Sequence, residues 1–244
     1  MKEPVEFEDI DYQILEQRPT VNPYRYAAYE IFKRLKWDFN PQSWLSRRKL
    51  KGIQDQYKGQ KAVIVCNGPS LLQSDLGLLE NTFTFGLNKI NLLFDKSNFR
   101  PSCIVATNYL VIEQNQEFYS ETKIPLFLNS STINLFQKKN HITFLHCVTQ
   151  KKFARDCKFS ISEGGTVTFI ALQLAFHMGF QEVALIGCDH NFAVQGFSGL
   201  VVESGKQDES HFDSNYFAGG TKWMLPDLNF SEMSYELAKR VYLA

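Results

Sequence analysis

The chain has 244 residues, and 44% of them are hydrophobic, which is enough for one large domain or for a domain with an appendage. Its 26 Lys and Arg residues balance its 26 Asp and Glu residues, so the overall charge argues against a nucleic-acid partner. No apolar run is long enough to cross a bilayer, and none at the start resembles a signal peptide. These features predict a globular cytoplasmic protein.

Residues 1–60 differ from the rest of the chain, because they are rich in charged and aromatic residues and lack the alternation of a strand. Tyr26, Ile31, Phe32 and Leu35 fall at helical spacing among basic residues. We therefore predict a helical N-terminal appendage. A solvated helix packed on the main domain is the first interpretation. The second is that its basic, aromatic face contacts a partner or an anionic surface, which would place the protein at the periphery of the inner membrane.

From residue 61 onward, apolar β-branched runs alternate with helix-like stretches, which is typical of βαβ units and a mostly parallel sheet. The predicted strands are residues 62–66, 82–87, 102–107, 125–128, 142–148 and 182–187. We predict that the first and the last of these are buried parallel strands. The clearest helix covers residues 166–178, and Gly179 stops it. The sequence thus predicts an α/β, doubly wound, Rossmann-like domain over residues 61–244.

The part of the chain after the last predicted strand, residues 191–229, is rich in glycine, polar and aromatic residues and has weak periodicity. A long segment of this kind directly after a core strand is typical of a lid or substrate loop. A final helix is predicted from Glu232 onward, with Ser231 as its N-cap.

The first polar loop, Asn67-Gly68-Pro69-Ser70, follows the strand at 62–66 and is neither a Walker loop nor GxGxxG. Gly68 would allow a ligand close to the backbone, and the Asn67 amide could read a base or a sugar hydroxyl. Ser70 stands at a helix start, where N–H groups favour phosphate. A plain tight turn is the alternative interpretation.

A second small-residue loop, Gly164-Gly165-Thr166, precedes the clearest helix and could present backbone N–H groups to an anion. The two glycines could instead serve only to let the helix pack closely on a strand. Asn88 and Asn108 close the second and third predicted strands. Two amides at strand carboxyl ends suit uncharged recognition of sugar hydroxyls and a pyrimidine edge, although either alone would be a turn residue.

Two histidines are candidates for general-base chemistry, because a histidine near a carboxylate can accept a proton near neutral pH. His211 lies in the predicted lid, between Asp208 and Asp213, and is the first candidate. His190 follows Asp189 after the last predicted strand and is the second, with Asp189 as its neighbouring carboxylate. The DxD pair near the N-terminus does not follow a strand, so no metal site is predicted.

Together these motifs resemble the MptE-like family, which includes the DUF115 proteins of bacterial surface-polysaccharide and flagellin-glycosylation loci. The resemblance covers residues 61–235, and the stretches that carry it are residues 62–71, Asn88, residues 162–189 and residues 211–217. The chain is more distantly similar to the sialyltransferases of glycosyltransferase family 42. Those enzymes share an Asn-Gly-Pro-Ser loop, asparagines at strand ends and a small-residue loop before a helix.

The sialyltransferase likeness implies a GT-A-like domain that moves a sugar from a CMP-sugar donor to a glycan or protein acceptor, with inversion and without a metal or other cofactor. The family's catalytic histidine aligns nearer Asn215 than His211, so Asn215 joins the candidate site. The tyrosines that hold the leaving phosphate in that family have no clear match after Asp189. The positions that the likeness implicates in donor binding are Asn67, Gly68, Ser70, Asn88, Asn108, Gly164 and Gly165.

The other branch of the family resemblance is the archaeal 6-hydroxymethylpterin pyrophosphokinase, which uses ATP and Mg²⁺. That chemistry needs carboxylates to hold magnesium across the phosphates. At the end of the third predicted strand this chain has Ala106-Thr107-Asn108 instead of acidic residues, so we rank this function second. A third alternative is a non-catalytic module that binds a nucleotide sugar.

Overall fold

A computed structural model of the protein describes residues 22–137, 139–189, 200–205 and 207–244. The strands are β1 (Lys61–Val65), β2 (Phe83–Leu87), β3 (Cys103–Ala106), β4 (Leu126–Asn129), β5 (Ile142–Leu145), β6 (Cys147–Val148), β7 (Ile161–Ser162), β8 (Glu182–Ile186), β9 (Val201–Glu203) and β10 (Lys222–Met224). The helices are α1 (Pro23–Asp38), α2 (Pro41–Ile53), α3 (Tyr109–Gln114), α4 (Gln116–Glu121), α5 (Val167–His177) and α6 (Leu228–Leu243).

Six strands form one parallel sheet in the order β5-β4-β3-β2-β1-β8. The chain builds outward from β1 to β5 on one side and then crosses back to add β8 on the other side of β1. Helices cover both faces of the sheet. The predicted α/β, doubly wound, Rossmann-like fold is therefore confirmed, and the strand order reverses at β1, where such sheets bind ligands.

The strands fill two hydrophobic cores, because successive side chains of a strand point to opposite faces. Ile64 of β1 and Val105 of β3 pack in the core that includes α5, whereas Val65 and Ile104 pack in the core that includes α3 and α4. Both faces of these strands are buried, which explains why they read as continuous apolar runs in the sequence.

β8 departs from the prediction of a buried strand. Its residues are exposed or half-buried, and Leu185 is 38% exposed. β8 pairs with β1 on one side, and among the described residues no other strand pairs with it. The apolar composition of β8 was therefore misleading, because it does not distinguish an edge strand from a central one.

Two further predicted boundaries were wrong. The strand predicted over residues 142–148 divides into β5, which belongs to the main sheet, and β6, which pairs with β7 in a separate two-stranded sheet. The last helix begins at Leu228, and its N-cap is Asp227, whose carboxylate accepts a hydrogen bond from the Phe230 N–H at 2.9 Å. Ser231 lies inside that helix and donates from Oγ to the Gly165 carbonyl at 3.1 Å.

The prediction for the clearest helix is confirmed by α5. The Thr166 hydroxyl caps its start by accepting from the Thr168 N–H, and Gly179 follows its end with a φ of +92°. Such a left-handed conformation favours glycine, which stops the helix.

Of the predicted N-terminal appendage, the structure describes residues 22–60. α2 packs against β5, where the Ser46 hydroxyl accepts from the Phe144 N–H at 3.0 Å and Leu50 enters the core. α1 reaches the rest of the protein through Trp37, which is buried and stacks on His146. No described helix combines the length and apolar composition needed to cross a membrane.

Gln173 of α5 holds the segment that leads to the Gly164-Gly165 loop. Its side chain is fully buried, accepts from the N–H groups of Ala154 (2.9 Å) and Ser162 (3.1 Å), and donates to the Ser162 carbonyl (2.8 Å). We expect Gln173→Leu to lower the free energy of unfolding by about 2–4 kcal/mol, because two buried N–H groups lose their acceptor. Urea denaturation measures the change. The exposed Gln56→Leu is the control, and an equal effect of both substitutions would contradict this account.

Candidate functional site

A cavity of about 640 Å³ lies at the carboxyl edge of the sheet. Polar residues that follow five neighbouring strands line it, namely Asn67 after β1, Asn88 after β2, Asn108 after β3, Asn129 at the end of β4 and Asp189 after β8. The carboxyl ends of parallel strands meet at one edge, which is why residues far apart in the sequence converge here.

Asn67 and Asn88 line the cavity just after β1 and β2. The Asn67 side chain donates from Nδ2 to the Leu87 carbonyl at 3.0 Å and to the Tyr216 hydroxyl at 3.2 Å. The Oδ1 atoms of Asn67 and Asn88 are buried and have no hydrogen-bond partner among the described residues. Because a buried polar atom without a partner costs free energy, these two oxygens are sites where a ligand could donate hydrogen bonds.

The backbone of Asn88 is itself unusual, with a φ of +46°. Its N–H donates to the Val105 carbonyl at 2.9 Å, and its carbonyl accepts from the Tyr119 hydroxyl at 2.8 Å. Asparagine is one of the few residues that adopt this left-handed conformation readily. The backbone conformation is therefore one reason for an asparagine at position 88, and the Asn88 side chain also lines the cavity.

The loop after β1 is fastened to the loop after β8. Gly68 donates from its N–H to the Gly187 carbonyl at 2.8 Å, and Ser70 donates from its N–H to the Asp189 carboxylate at 2.8 Å. The predicted phosphate-binding amide of Ser70 thus already has an anionic partner. Gly68 lines the cavity, whereas Pro69 and Ser70 do not.

His211 lies in the cavity wall and forms a pair with a carboxylate. Its Nδ1 is 2.8 Å from Asp208 Oδ2, and both side chains are largely buried. The imidazole ring stacks on the Tyr216 ring with a centroid distance of 3.9 Å and meets Phe217 edge to face. Because Asp208 engages Nδ1 and the stacking fixes the ring, proton transfer with a ligand would use Nε2.

The segment that carries this pair, residues 207–217, is held over the ends of β1 and β2. The Phe212 N–H donates to the Asn67 carbonyl at 2.8 Å, and Lys89 Nζ donates to the Tyr216 carbonyl at 2.7 Å. Lys89 also donates to Gln114 Oε1 at 2.8 Å, and burial lowers the pKa of its ammonium group to about 8. The predicted lid thus includes a folded part that packs on the sheet; residues 191–199 of that lid lie outside the described residues.

The N-termini of two helices also line the cavity. Gly165 and Thr166 line it at the start of α5, and Asp227 and Ser231 line it at the start of α6. Gly164 does not line it. A Cβ at Gly164 would lie 2.1 Å from the Phe169 ring, so this glycine serves close packing.

The cavity lining also includes Glu163, Cys66 and Cys188. Burial raises the pKa of the Glu163 carboxyl, and the positive charge of Lys33 in α1 offsets part of this rise. The interaction between the Cys66 and Cys188 thiols, together with burial, raises the pKa of Cys66 well above its ordinary value. The same interaction lowers the pKa of Cys188, although burial acts in the opposite direction on that thiol. Within the described ranges no three His, Cys, Asp or Glu side chains gather in a way that could hold a metal ion.

The remaining predicted residues divide between the cavity and its surroundings. Asn108 lines the cavity and caps α3 by accepting from the Leu110 N–H at 3.0 Å. Asn215 is exposed and lies outside the lining, and His190 lies outside the described residues. Sequence reasoning missed Lys89 and Tyr216, because their contacts span more than a hundred positions of the chain and no local pattern marks them.

Comparison with known proteins identifies the family to which the chain belongs. The sequence profile of the family described as 6-hydroxymethylpterin diphosphokinase MptE-like matches residues 39–195, which is more than half of the chain. Among solved structures, the chain is similar to that of the MAf glycosyltransferase from Magnetospirillum magneticum AMB-1, with 14% identity and a TM-score of 0.44. The match covers 82% of this chain and 35% of that one, so this chain spans about a third of its length. No curated protein matched the sequence. The profile match shows that the chain belongs to the MptE-like family.

Proposed function

We propose that the protein is a glycosyltransferase-like enzyme that binds a nucleotide-activated sugar in the cavity at the carboxyl edge of the sheet. The observation that carries this proposal is the pair of buried, unsatisfied amide oxygens of Asn67 and Asn88. Ribose hydroxyls and the exocyclic amino group of cytosine are neutral donors that would satisfy them. A CMP-activated nonulosonic acid is the donor that we favour, and a surface glycan or a glycoprotein is the acceptor class.

The phosphate of such a donor would lie near Gly165 and Thr166. The N-terminus of α5 offers the positive end of the helix dipole at this point. The acidic side chain at Asp189 is already engaged by the Ser70 N–H, which reduces its repulsion of a nearby phosphate. No metal is invoked for this step.

His211 would act as the general base of the transfer. Its Nε2 would take the proton from an acceptor hydroxyl while the acceptor oxygen forms a bond to the anomeric carbon. The bond between that carbon and the phosphate oxygen would break, and the nucleotide would leave with the electron pair. Asp208 would stabilise the imidazolium that results. A direct displacement of this kind inverts the anomeric centre.

The second candidate is a 6-hydroxymethylpterin diphosphokinase, which the description of the matched family names. It would transfer a diphosphate from ATP to the pterin hydroxymethyl group and release AMP. Such enzymes hold Mg²⁺ through carboxylates, and the described part of the cavity does not provide a cluster of them. A non-catalytic module for nucleotide-sugar binding is the third candidate, which would bind the donor without turnover.

A thermal-shift screen against CMP, CDP, UDP, GDP and ATP, each with and without Mg²⁺, separates the first two candidates; donor turnover with acceptor separates the first from the third. A ligand that binds only the folded state raises the melting temperature. We expect stabilisation by a cytidine nucleotide without Mg²⁺. Stabilisation by ATP alone, and only with Mg²⁺, would overturn the glycosyltransferase in favour of the diphosphokinase.

We expect Asn88→Gly to raise the Kd of the cytidine nucleotide about 3- to 10-fold, which corresponds to one hydrogen bond of about 1 kcal/mol. Glycine removes the amide and tolerates the φ of +46°, so the backbone should keep its path. Isothermal titration calorimetry measures the change. Asn115→Gly, at a residue outside the cavity lining, is the control, and a Kd unchanged by Asn88→Gly would contradict a role for this amide.

A further inference from the structure

The outward side of α1 carries a continuous row of exposed apolar side chains. Ile31 is 60% exposed, Phe32 is 66% exposed and Leu35 is 46% exposed. The row continues at both ends into neighbouring exposed aromatic residues, which are Tyr24, Phe39 and Trp44. We call these six residues the apolar face.

The apolar face is not the side by which α1 packs on the protein. The inward side consists of Tyr26, Glu30, Arg34 and Trp37, which are half-buried or buried. Arg34 on this side donates to the Phe159 carbonyl at 2.8 Å. α1 therefore presents its most apolar residues to the surroundings, which is the reverse of an ordinary surface helix.

The same region concentrates the positive charge of a chain whose formal net charge is zero. Residues 23–53 contain eight Lys and Arg residues and two Asp and Glu residues, a net charge of +6. The two acidic side chains are engaged, since Asp38 accepts from Arg34 and Arg47 and Glu30 pairs with Lys33. The basic residues Arg25, Lys36, Arg48 and Lys51 are exposed beside the apolar face.

We infer that the apolar face, with its flanking basic residues, docks on an anionic membrane surface. Two contributions stabilise a helix at a membrane surface. Its apolar side chains are buried at the level of the head groups, and its basic side chains are attracted to anionic lipid. A second copy of the chain is a poorer occupant, because a symmetric contact would bring two surfaces of charge +6 together.

α1 also interacts electrostatically with one residue of the cavity wall. Lys33 and Glu30 of α1 act electrostatically on the carboxyl of Glu163, which lines the cavity wall. The docking itself does not depend on the proposed function.

The test is co-sedimentation of the full chain with vesicles of phosphatidylcholine alone or with about 30% phosphatidylglycerol. We expect binding to the anionic vesicles only, and weaker binding as salt is added. Ile31→Ser with Phe32→Ser, and separately Lys36→Glu with Arg48→Glu, should each lower the vesicle partition coefficient at least about tenfold. Leu72→Ser with Leu78→Ser is the matched control, because both leucines are exposed outside this region.

Absence of binding by the wild type to anionic vesicles would overturn the inference and point to a protein partner. Equal losses in the test and control pairs would also overturn it. Circular dichroism and the nucleotide-induced thermal shift of each variant are measured in parallel. The shift should be unchanged in all variants, so a failure of membrane docking is distinguishable from a failure of the proposed function.

Discussion

Replacing His211 by asparagine should lower the rate of sugar transfer by about 10²- to 10⁴-fold, the usual contribution of a general base. Asparagine keeps a polar side chain of similar size but cannot accept and hold a proton. His211 is fixed by Asp208 at 2.8 Å and by stacking on Tyr216, so its loss removes a positioned base. The measurement is nucleotide release from the donor in the presence of acceptor, under single-turnover conditions. The thermal shift with nucleotide alone should change little.

His141→Asn is the control for this substitution. His141 is half-buried, contacts the Tyr119 carbonyl at 3.0 Å and lies outside the cavity lining. Asp208→Asn should give an intermediate loss, because it leaves the imidazole in place but removes the carboxylate that stabilises its charged form. Full transfer activity in His211→Asn would contradict the assignment of this residue as the base.

Replacing Gly68 by alanine should disrupt the loop between β1 and the cavity. The added Cβ would lie 2.3 Å from Asp189 Oδ2 and 2.8 Å from the Gly187 carbonyl oxygen, too close for any side chain. The φ of Gly68 is −72°, so the cost is steric crowding and not backbone strain. We expect a loss of about 1–3 kcal/mol in the free energy of unfolding, as for an overpacked site, and loss of the nucleotide-induced thermal shift.

Gly52→Ala in α2 is the matched control, because a Cβ there meets no atom within 4 Å. Alanine in a helix interior is about 0.5–1 kcal/mol more favourable than glycine, so this variant should be as stable as the wild type or more stable. Chemical denaturation measures both variants. A Gly68→Ala protein with wild-type stability and nucleotide binding would show that the two loops are not fastened as described.

The sheet and its polar edge were predictable from the sequence. Buried parallel strands read as apolar β-branched runs, and the residues that stop these runs necessarily lie at one edge. Asn67 and Asn88 could be placed together for this reason alone. Thr166 could be placed at the start of α5, because its hydroxyl precedes a clear helical pattern.

Other features depended on contacts that a local pattern cannot carry. The exposure of Leu185 follows from the position of β8 at the sheet edge, which only the strand order reveals. Asp227 and Ser231 are both suitable N-caps, and the packing of Ser231 against Gly165 decides between them. The pairing of His211 with Asp208 is local, but its place in the cavity depends on the anchoring of residues 207–217 by Lys89.

The central claim is that the amide oxygens of Asn67 and Asn88 receive a nucleotide. A crystal structure of the protein with CMP tests it most directly. We predict the nucleotide in the cavity at the carboxyl edge of the sheet, with donor groups of its base or ribose about 2.7–3.2 Å from the two Oδ1 atoms. CMP bound elsewhere, or bound in the cavity with both oxygens still lacking a partner, would contradict the account.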